Sequence, residues 1–443
     1  MNGRDIYLSK LHSLLERRDK IWTAIWQSSF AACSMLANAS VYILIAHMLG
    51  PQSFGTYMFV RWLAIIAVPI MGTGMSTLTS RQIADIQSRE APRFVAGIFY
   101  FLWYRQCCCI LLYILAYLTL SIPISRFFGF FSPVILLLSS LSTLPLLISS
   151  VAGLTLRSLR RVDLLATLHL FSALTSLLSM IIVWQVGSRQ VGTFLLASTL
   201  ADTLTLALAA ICVIRLLPMK EAQQPGIFLR ERLKRALKHP FTPFILDVIV
   251  WQRSELPLLA LWHQPAELGF YIISSMISSA VIGIAPTLFS TYVQPLLLRY
   301  MPTRHYHNPY DAFIKTSCYI VFLAIPICFL FIVFCPAIIT FCLGRAYFPA
   351  IIPLRILLIA SVFGSIATIS VTCLANNGQQ SSRVWPGIGV ALLKIVLAWV
   401  CIAHWGMIGA AFASASAQIV SAISSICICR NLLIRYEIGI QNS

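Results

Sequence analysis

The chain has 443 residues, of which 59% are hydrophobic and 10% are charged. A soluble globular domain carries about 25% charged residues, so this composition excludes one and indicates a protein that lies mostly within a membrane. The formal net charge of +18 does not imply a nucleic-acid partner. Lysine and arginine gather between the apolar runs, where they set membrane topology.

The first predicted element is an amphipathic cytoplasmic helix over 1–20, with leucines on one face and basic residues elsewhere. After it, runs of about 20 or more mostly apolar residues predict twelve membrane-spanning helices. Gly and Pro punctuate short turns at 127–133 and 341–349. The predicted spans are 21–48, 57–79, 94–122, 131–156, 162–186, 191–217, 241–263, 269–297, 311–335, 349–374, 384–404 and 407–430.

The longest polar stretch, 218–240, separates two sets of six spans. Its segment "FLRERLKRALK" predicts a second basic amphipathic helix on the inner leaflet, where anionic lipids attract it. The predicted organisation is therefore an N-lobe at 21–217, this basic cytoplasmic linker, and a C-lobe at 241–443 with a short cytoplasmic tail.

The loop charges orient the predicted spans. If the N-terminus is cytoplasmic, nearly all loop lysines and arginines fall on the cytoplasmic side. The outside loops then hold only Arg126, Arg189 and Arg345. This asymmetry follows the positive-inside rule and predicts that both termini are cytoplasmic. An error of one span would destroy it.

The two halves share motifs at a nearly constant separation. "GPQSFGTY" (50–57) aligns with "HQPAELGFY" (263–271), and "VGTFLLASTLAD" (191–202) aligns with "IGAAFASASAQI" (408–419). Six spans per copy give both copies the same orientation, which implies a pseudo-two-fold axis along the membrane normal. The predicted fold class is an all-α polytopic membrane protein with twelve transmembrane helices in two six-helix lobes.

These motifs also carry a family resemblance. "AHMLGPQSFGTYMFV" resembles the first loop of Wzx-type lipid-linked oligosaccharide flippases, in the multidrug/oligosaccharidyl-lipid/polysaccharide exporter superfamily. "ELGFYIISSMIS" (267–278) resembles the string between their spans seven and eight. "FCLGRAYFPAIIPLRIL" (341–357) is similar to their loop before span ten, and "WGMIGAAFASASAQ" (405–418) to their G-x-x-GAAxA segment.

The resemblance implies a flippase of the bacterial inner membrane that carries undecaprenyl-pyrophosphate-linked glycans from the inner to the outer leaflet. Its members serve O-antigen, capsule or exopolysaccharide synthesis. The expected partners are the lipid-linked glycan, membrane lipids, a polysaccharide polymerase and glycosyltransferases, and the chain is expected to be a monomer.

Ionisable residues within the spans are costly in hydrocarbon and usually face a cavity or a partner. Bases outnumber acids there, so a central cavity would be cationic and suited to pyrophosphate, which an arginine grips with two parallel hydrogen bonds. Arg61 and Arg355 lie near span ends, where snorkelling is the alternative. The predicted substrate-binding residues are Arg253, Lys394, Arg105, Arg61, Arg355 and the deep aromatic Trp251.

The acids Glu255, Asp247 and Asp202 are candidates for coupling transport to a proton or sodium gradient. The alternative is that each forms a structural ion pair with a buried base, and both interpretations predict buried acids. Arg253 and Glu255 are two residues apart, so on a regular helix they point to different sides and each needs a partner elsewhere. Pro257 predicts a kink beside them.

Two other classes remain as alternatives. A multidrug or small-molecule antiporter of the same architecture is disfavoured by the excess of bases within the spans. An enzyme is disfavoured because the outside loops are short and carry few ionisable residues. No cofactor is expected, since the sequence lacks a phosphate-binding G-x-x-x-x-G-K-[ST] loop and a metal-ligating Cys/His spacing.

Overall fold

A computed structural model of the protein describes residues 3–71, 92–159, 161–217, 253–262, 265–288, 309–376 and 384–441. Every regular element within these ranges is helical, including one 3-10 helix, Arg345–Ala350. The α-helices are α1 (Gly3–Ile65), α2 (Ala67–Met71), α3 (Pro92–Phe128), α4 (Pro133–Ser158), α5 (Val162–Val186), α6 (Val191–Leu216), α7 (Leu256–Trp262), α8 (Pro265–Leu288), α9 (Pro309–Cys342), α10 (Ile351–Asn376) and α11 (Val384–Gln441).

Nine segments of the described chain are long and apolar enough to cross a membrane, which confirms an all-α, multi-pass membrane protein. The predicted total of twelve stays a prediction, because 72–91, 218–252 and 289–308 lie outside the described residues. The nine segments are Ala32–Ile65, Ala96–Phe128, Pro133–Arg157, Asp163–Val186, Val191–Leu216, Pro265–Thr287, Phe313–Cys342, Arg345–Thr368 and Val384–Asn431.

The two longest helices are each broken at a glycine. In α1 the break is at Gly50 (φ 70°, ψ 170°), and in α11 it is at Gly406 (φ 54°, ψ −129°). Only glycine adopts such conformations readily, because it lacks a Cβ. The 48-residue candidate span segment of α11, Val384–Asn431, would measure about 72 Å as a straight helix, more than twice a bilayer core of about 30 Å. The breaks coincide with the predicted boundaries between spans one and two and between spans eleven and twelve.

Glycines also occupy the two predicted turns. Gly129 (φ 77°) follows α3 and Gly344 (φ 89°) follows α9, so both turns are confirmed. Both preceding helices run several residues further than predicted, α3 through Pro123 and α9 through Pro336. In the additional turns at the end of α3, the Ser125 hydroxyl donates a hydrogen bond to the Ile122 carbonyl at 3.0 Å.

The described helices pack in two groups. Among α1–α6 the main contacts are α4 with α6, α1 with α5, α5 with α6 and α3 with α4. Among α7–α11 they are α10 with α11, α8 with α10, α9 with α10 and α7 with α11. The contact of α1 with α8 joins the two groups, in agreement with two lobes. The boundaries of the predicted linker stay a prediction, because 218–240 is not described.

The α1–α8 contact repeats itself about a two-fold axis. A Cβ on Gly55 would meet the Pro265 carbonyl oxygen, with the Gly269 nitrogen 2.9 Å away. A Cβ on Gly269 would lie 2.5 Å from the Pro51 carbonyl oxygen. Pro51 and Pro265, and Gly55 and Gly269, are the pairs that the sequence repeat aligns. Gly55 of the first copy thus packs against Pro265 of the second, and Gly269 of the second packs against Pro51 of the first. Such a reciprocal pair of contacts is the pattern of a two-fold interface.

Large aromatic side chains surround this contact. Phe54, Tyr57 and Tyr271 are fully buried, and so is Tyr347 in the 3-10 helix. The Tyr347 hydroxyl donates to the Ala46 carbonyl on α1 at 2.8 Å, and its ring meets Phe54 edge to face. In a membrane, where helices gain little from leaving lipid, such close backbone approach and specific packing hold helices together.

Candidate functional site

A turn at residues 253–255 precedes α7. It carries Arg253 and Glu255, two of the three charged residues of the predicted span 241–263. Arg253 has φ 58°, in the left-handed region, which costs a residue with a Cβ about 1–2 kcal/mol. Its carbonyl accepts the Leu256 N–H at 3.1 Å. A continuous helix over 241–263 is thus wrong at this point. Pro257 lies in the first turn of α7, where a missing N–H has no consequence, so the observed irregularity is a turn before the proline rather than a kink within α7.

The Glu255 side chain is the centre of a buried cluster. Its Oε2 lies 2.7 Å from the Lys394 Nζ, with side chains 1% and 3% exposed. Its Oε1 accepts hydrogen bonds from the Tyr271 hydroxyl and, at 2.8 Å, from the Ser414 hydroxyl. The hydroxyl oxygens of Tyr271 and Ser414 are 3.1 Å apart. We call these four residues the Glu255 cluster.

The Glu255 cluster is assembled from three separate elements. Tyr271 lies on α8, while Lys394 and Ser414 lie on α11 on either side of its break at Gly406. The predicted burial of Glu255 and its need for a partner other than Arg253 are both confirmed. Lys394 was expected as a cation facing a cavity, and the structure places its ammonium on this carboxylate instead. Its substrate-binding role stays a prediction.

A second cluster lies in the first half of the chain. Arg61 on α1 donates from Nη1 to the Ser198 hydroxyl at 2.6 Å, and its Nη2 is 3.4 Å from the Asp202 Oδ2. Ser198 and Asp202 lie one turn apart on α6, which places both on one face of that helix. Tyr57 is a hydrogen-bonding neighbour of Ser198 and is within electrostatic range of Arg61 and Asp202. These four residues form the Arg61 cluster, in which Asp202 is buried as predicted.

The two clusters occupy related places in the repeat. Tyr57 and Tyr271, which the repeat aligns, each stand beside the ion pair of their own half. Ser198 and Ser414 lie on α6 and on the second part of α11, in the other pair of aligned segments. Sequence reasoning used the tyrosines only as markers of the repeat. That shared position was the available signal that they belong to the sites.

Tyr42 on α1 is within electrostatic range of an arginine in each half. It is an electrostatic neighbour of both Arg61 and Arg253, and Tyr271 and Glu255 are the other such neighbours of Arg253. Within the described part of the chain, no acidic oxygen lies within 4.0 Å of the partly buried Arg253 guanidinium. One arginine from each half is thus within electrostatic range of the same tyrosine. Sequence analysis did not select Tyr42.

The remaining predicted residues lie elsewhere. Arg105 is partly buried on α3 beside Gln106, whose amide donates to the Leu147 carbonyl at 2.9 Å. Arg355 is exposed on α10. Neither is among the partners of the two clusters. Asp247 and Trp251 lie outside the described residues, so their roles stay predictions. Within the described ranges, no group of three His, Cys, Asp or Glu residues is placed to hold a metal ion.

The fold is shared with membrane transporters of known structure. The lipid II flippase MurJ, in an inward closed conformation, matches with a TM-score of 0.70 and 15% identity, over 95% of this chain and 93% of that chain. An inward-facing multidrug resistance MATE family transporter of the MOP superfamily matches with a TM-score of 0.71 and 13% identity, over 94% and 99%. The MATE multidrug transporter DinF-BH matches with a TM-score of 0.68 and 14% identity, over 92% and 95%.

No protein-family model and no curated relative matches the chain by sequence. At 13–15% identity these similarities show the fold alone. The expected all-α transporter fold is confirmed, whereas the likeness to Wzx-type flippases rests on the sequence motifs.

Proposed function

We propose that the protein is a transporter of the bacterial inner membrane that flips an undecaprenyl-pyrophosphate-linked oligosaccharide from the inner to the outer leaflet. The product would serve O-antigen or related polysaccharide synthesis, next to a polymerase and glycosyltransferases. The fold shared with a lipid II flippase supports the transport class. The motifs at 46–60, 267–278, 341–357 and 405–418 support a lipid-linked glycan as the substrate.

The environment of Arg253 is the observation that supports an anionic substrate. Its guanidinium is partly buried and, among the described residues, has no carboxylate within 4.0 Å. A partly buried cation without such a partner favours binding of an anion. Arg61, in the other half, is a second partly buried arginine and already contacts Ser198 and Asp202.

The packing supports alternating access as the mechanism. Each cluster joins helices within one half: α1 to α6 in the first, and α7, α8 and α11 in the second. Each half can therefore move as a unit while the α1–α8 contact on the pseudo-two-fold axis serves as the pivot. The pyrophosphate would pass between the halves, and the lipid tail would stay in the bilayer.

A multidrug or small-molecule antiporter is the second candidate, with two transporters of the MATE family sharing the fold. Buried Asp202 and Glu255 are the kind of acids that proton or sodium exchange would use. Both, however, are already paired with bases, and a carboxylate so paired is a poor site for a cationic drug.

Complementation of a bacterial strain that lacks its own flippase tests the proposal. We expect the wild-type chain to restore surface polysaccharide and Arg253→Gln to abolish it at equal protein levels. Arg126→Gln, at an exposed arginine in the last turn of α3, is the matched control and should export normally. Full export by Arg253→Gln would contradict the anion site. Drug efflux without glycan export would favour the antiporter.

A further inference from the structure

The conformation of Arg253 requires an explanation. Among the described residues it is the one non-glycine residue with a positive φ, a strained backbone state that persists only where surrounding contacts determine it. Its own side chain makes no hydrogen bond or ion pair with the described residues that would supply those contacts. Among the described residues, the restraint therefore comes from the neighbours of Arg253 in the turn.

Glu255, two residues further on, supplies such a restraint. Three donors from other helices converge on its carboxylate: the Lys394 ammonium at 2.7 Å, the Ser414 hydroxyl at 2.8 Å and the Tyr271 hydroxyl. The Glu255 carbonyl also accepts the Leu259 N–H at 3.0 Å at the start of α7. Both ends of the residue are thus fixed, so the turn before it has little freedom.

We propose that Lys394, with Glu255, Tyr271 and Ser414, is a positioning residue that holds the 253–255 turn in its left-handed form and thereby presents Arg253 to a phosphate or diphosphate group. Lys394 does not itself bind the anion, because its ammonium is 3% exposed and lies on Glu255. Glu255 does not act as an ion-coupling acid, because its oxygens are occupied. The proposal rests on the anionic substrate proposed above, and it replaces direct roles for these two residues.

A first experiment tests the restraint without any substrate. Melting temperatures of full-length Arg253→Gly and Arg253→Ala are compared in detergent, in the wild-type background and with Lys394→Gln. Glycine tolerates a positive φ and alanine does not, so Arg253→Gly should melt at the higher temperature in the wild-type background. With Lys394→Gln the turn is released, and the difference should shrink towards zero. An equal difference in both backgrounds would overturn the proposal.

A second experiment measures binding of inorganic pyrophosphate to the purified full-length protein by calorimetry. Arg253→Gln should abolish binding, and Lys394→Gln should weaken it by about tenfold, the size of effect that loss of a supporting shell has. The exchange Glu255→Lys with Lys394→Glu restores an ion pair in the same place, so most of the affinity should return. If Lys394 contacted the anion, the exchanged variant would carry an acid there and binding would stay lost.

The two experiments separate the two proposals. Equal pyrophosphate binding by wild type and Arg253→Gln would overturn the proposed anion site, while the melting comparison would still decide whether Lys394 holds the turn. Normal binding by Lys394→Gln, together with loss in Arg253→Gln, would overturn the positioning role and leave the anion site in place.

Discussion

The Arg61 cluster and the Glu255 cluster each pair a buried acid with a base, but they differ in geometry and exposure. In the first half the base is on α1, the pair is 3.4 Å apart and the arginine side chain is 15% exposed. In the second half the acid lies in the turn before α7, the charged atoms are 2.7 Å apart and both side chains are almost fully buried. The repeated tyrosine stands beside each pair. The repeat therefore places a tyrosine near the ion pair of each half, whereas the charged residues lie at positions that the repeat does not align, since Arg61 falls on Ser275 and Glu255 on Val41.

The different distance and exposure of the two ion pairs indicate different roles. A tight pair closed off from solvent suits a permanent structural role, because separating it would leave a charge uncompensated in a low-dielectric site. A looser pair with a partly exposed guanidinium can share that cation with an arriving anion. We therefore expect the Glu255 cluster to determine stability and the Arg61 cluster to influence substrate handling.

The largest expected effect comes from removing one member of the buried pair. Lys394→Met leaves Glu255 without its counter-ion and should destabilise the protein by about 3–5 kcal/mol. The control is Glu255→Gln combined with Lys394→Met, in which no charge remains and most of the stability should return. Thermal melting of the purified protein in detergent measures both variants. Equal loss in the single and double variants would contradict the assignment.

The glycine contact between the halves should give the next largest effect. A Cβ at Gly55 or Gly269 would push against backbone of the opposite helix, and overpacking of this kind costs about 1–3 kcal/mol. Gly283→Ala, on α8, is the matched control because a Cβ there meets nothing within 4 Å. Melting of the three alanine variants tests this. A Gly55→Ala variant as stable as Gly283→Ala would argue against the close approach.

A smaller loss of stability, about 1–2 kcal/mol, is expected for Asp202→Asn, because the one hydrogen bond of Arg61 to a charged acceptor weakens. Glycan export should change more than in variants of equal stability elsewhere in the chain, since Arg61 loses its ion pair with Asp202. The exposed pair Arg161–Asp163, 3.2 Å apart with side chains 48% and 49% exposed, supplies the control Asp163→Asn. Melting and glycan export measure the two. Identical export by both variants would remove the proposed difference between the clusters.

The smallest effect is expected for Tyr347→Phe, which removes the hydroxyl that bonds the Ala46 carbonyl across the halves. A loss of about 1 kcal/mol is typical of one such hydrogen bond. Tyr104→Phe, at a tyrosine 73% exposed, should melt like wild type. If Tyr347→Phe also does, the hydrogen bond does not contribute to holding the halves together.

Much of the fold could be predicted from the sequence, because spans, turns and repeat are local patterns. The apolar runs give the helices, and glycine marks the breaks at Gly50 and Gly406 and the turns at Gly129 and Gly344. The aligned pairs at Pro51, Gly55 and Tyr57 predicted a two-fold relation before any contact was known. Helix limits were less accurate, since Pro123 and Pro336 do not end their helices.

The partners of the charges could not be predicted. Glu255 meets Lys394, and Arg61 meets Asp202, across more than 130 residues of chain. No spacing in the sequence encodes which helix faces which, so the excess of bases suggested a set of free cations. Pro257 signalled an irregularity near Arg253, but the turn lies before the proline, and the donors around Glu255 come from the distant helices α8 and α11.

The glycine contact on the axis also bears on how such a chain can arise. Pro51 meets Gly269 and Gly55 meets Pro265, so one copy of the motif carries both surfaces of the interface. A protein of half this length would present the same two surfaces and could pair with an identical copy of itself, as a two-fold homodimer does. Duplication and fusion of such a gene would preserve the interface unchanged. The two halves, expressed as separate chains, should for the same reason retain the ability to associate.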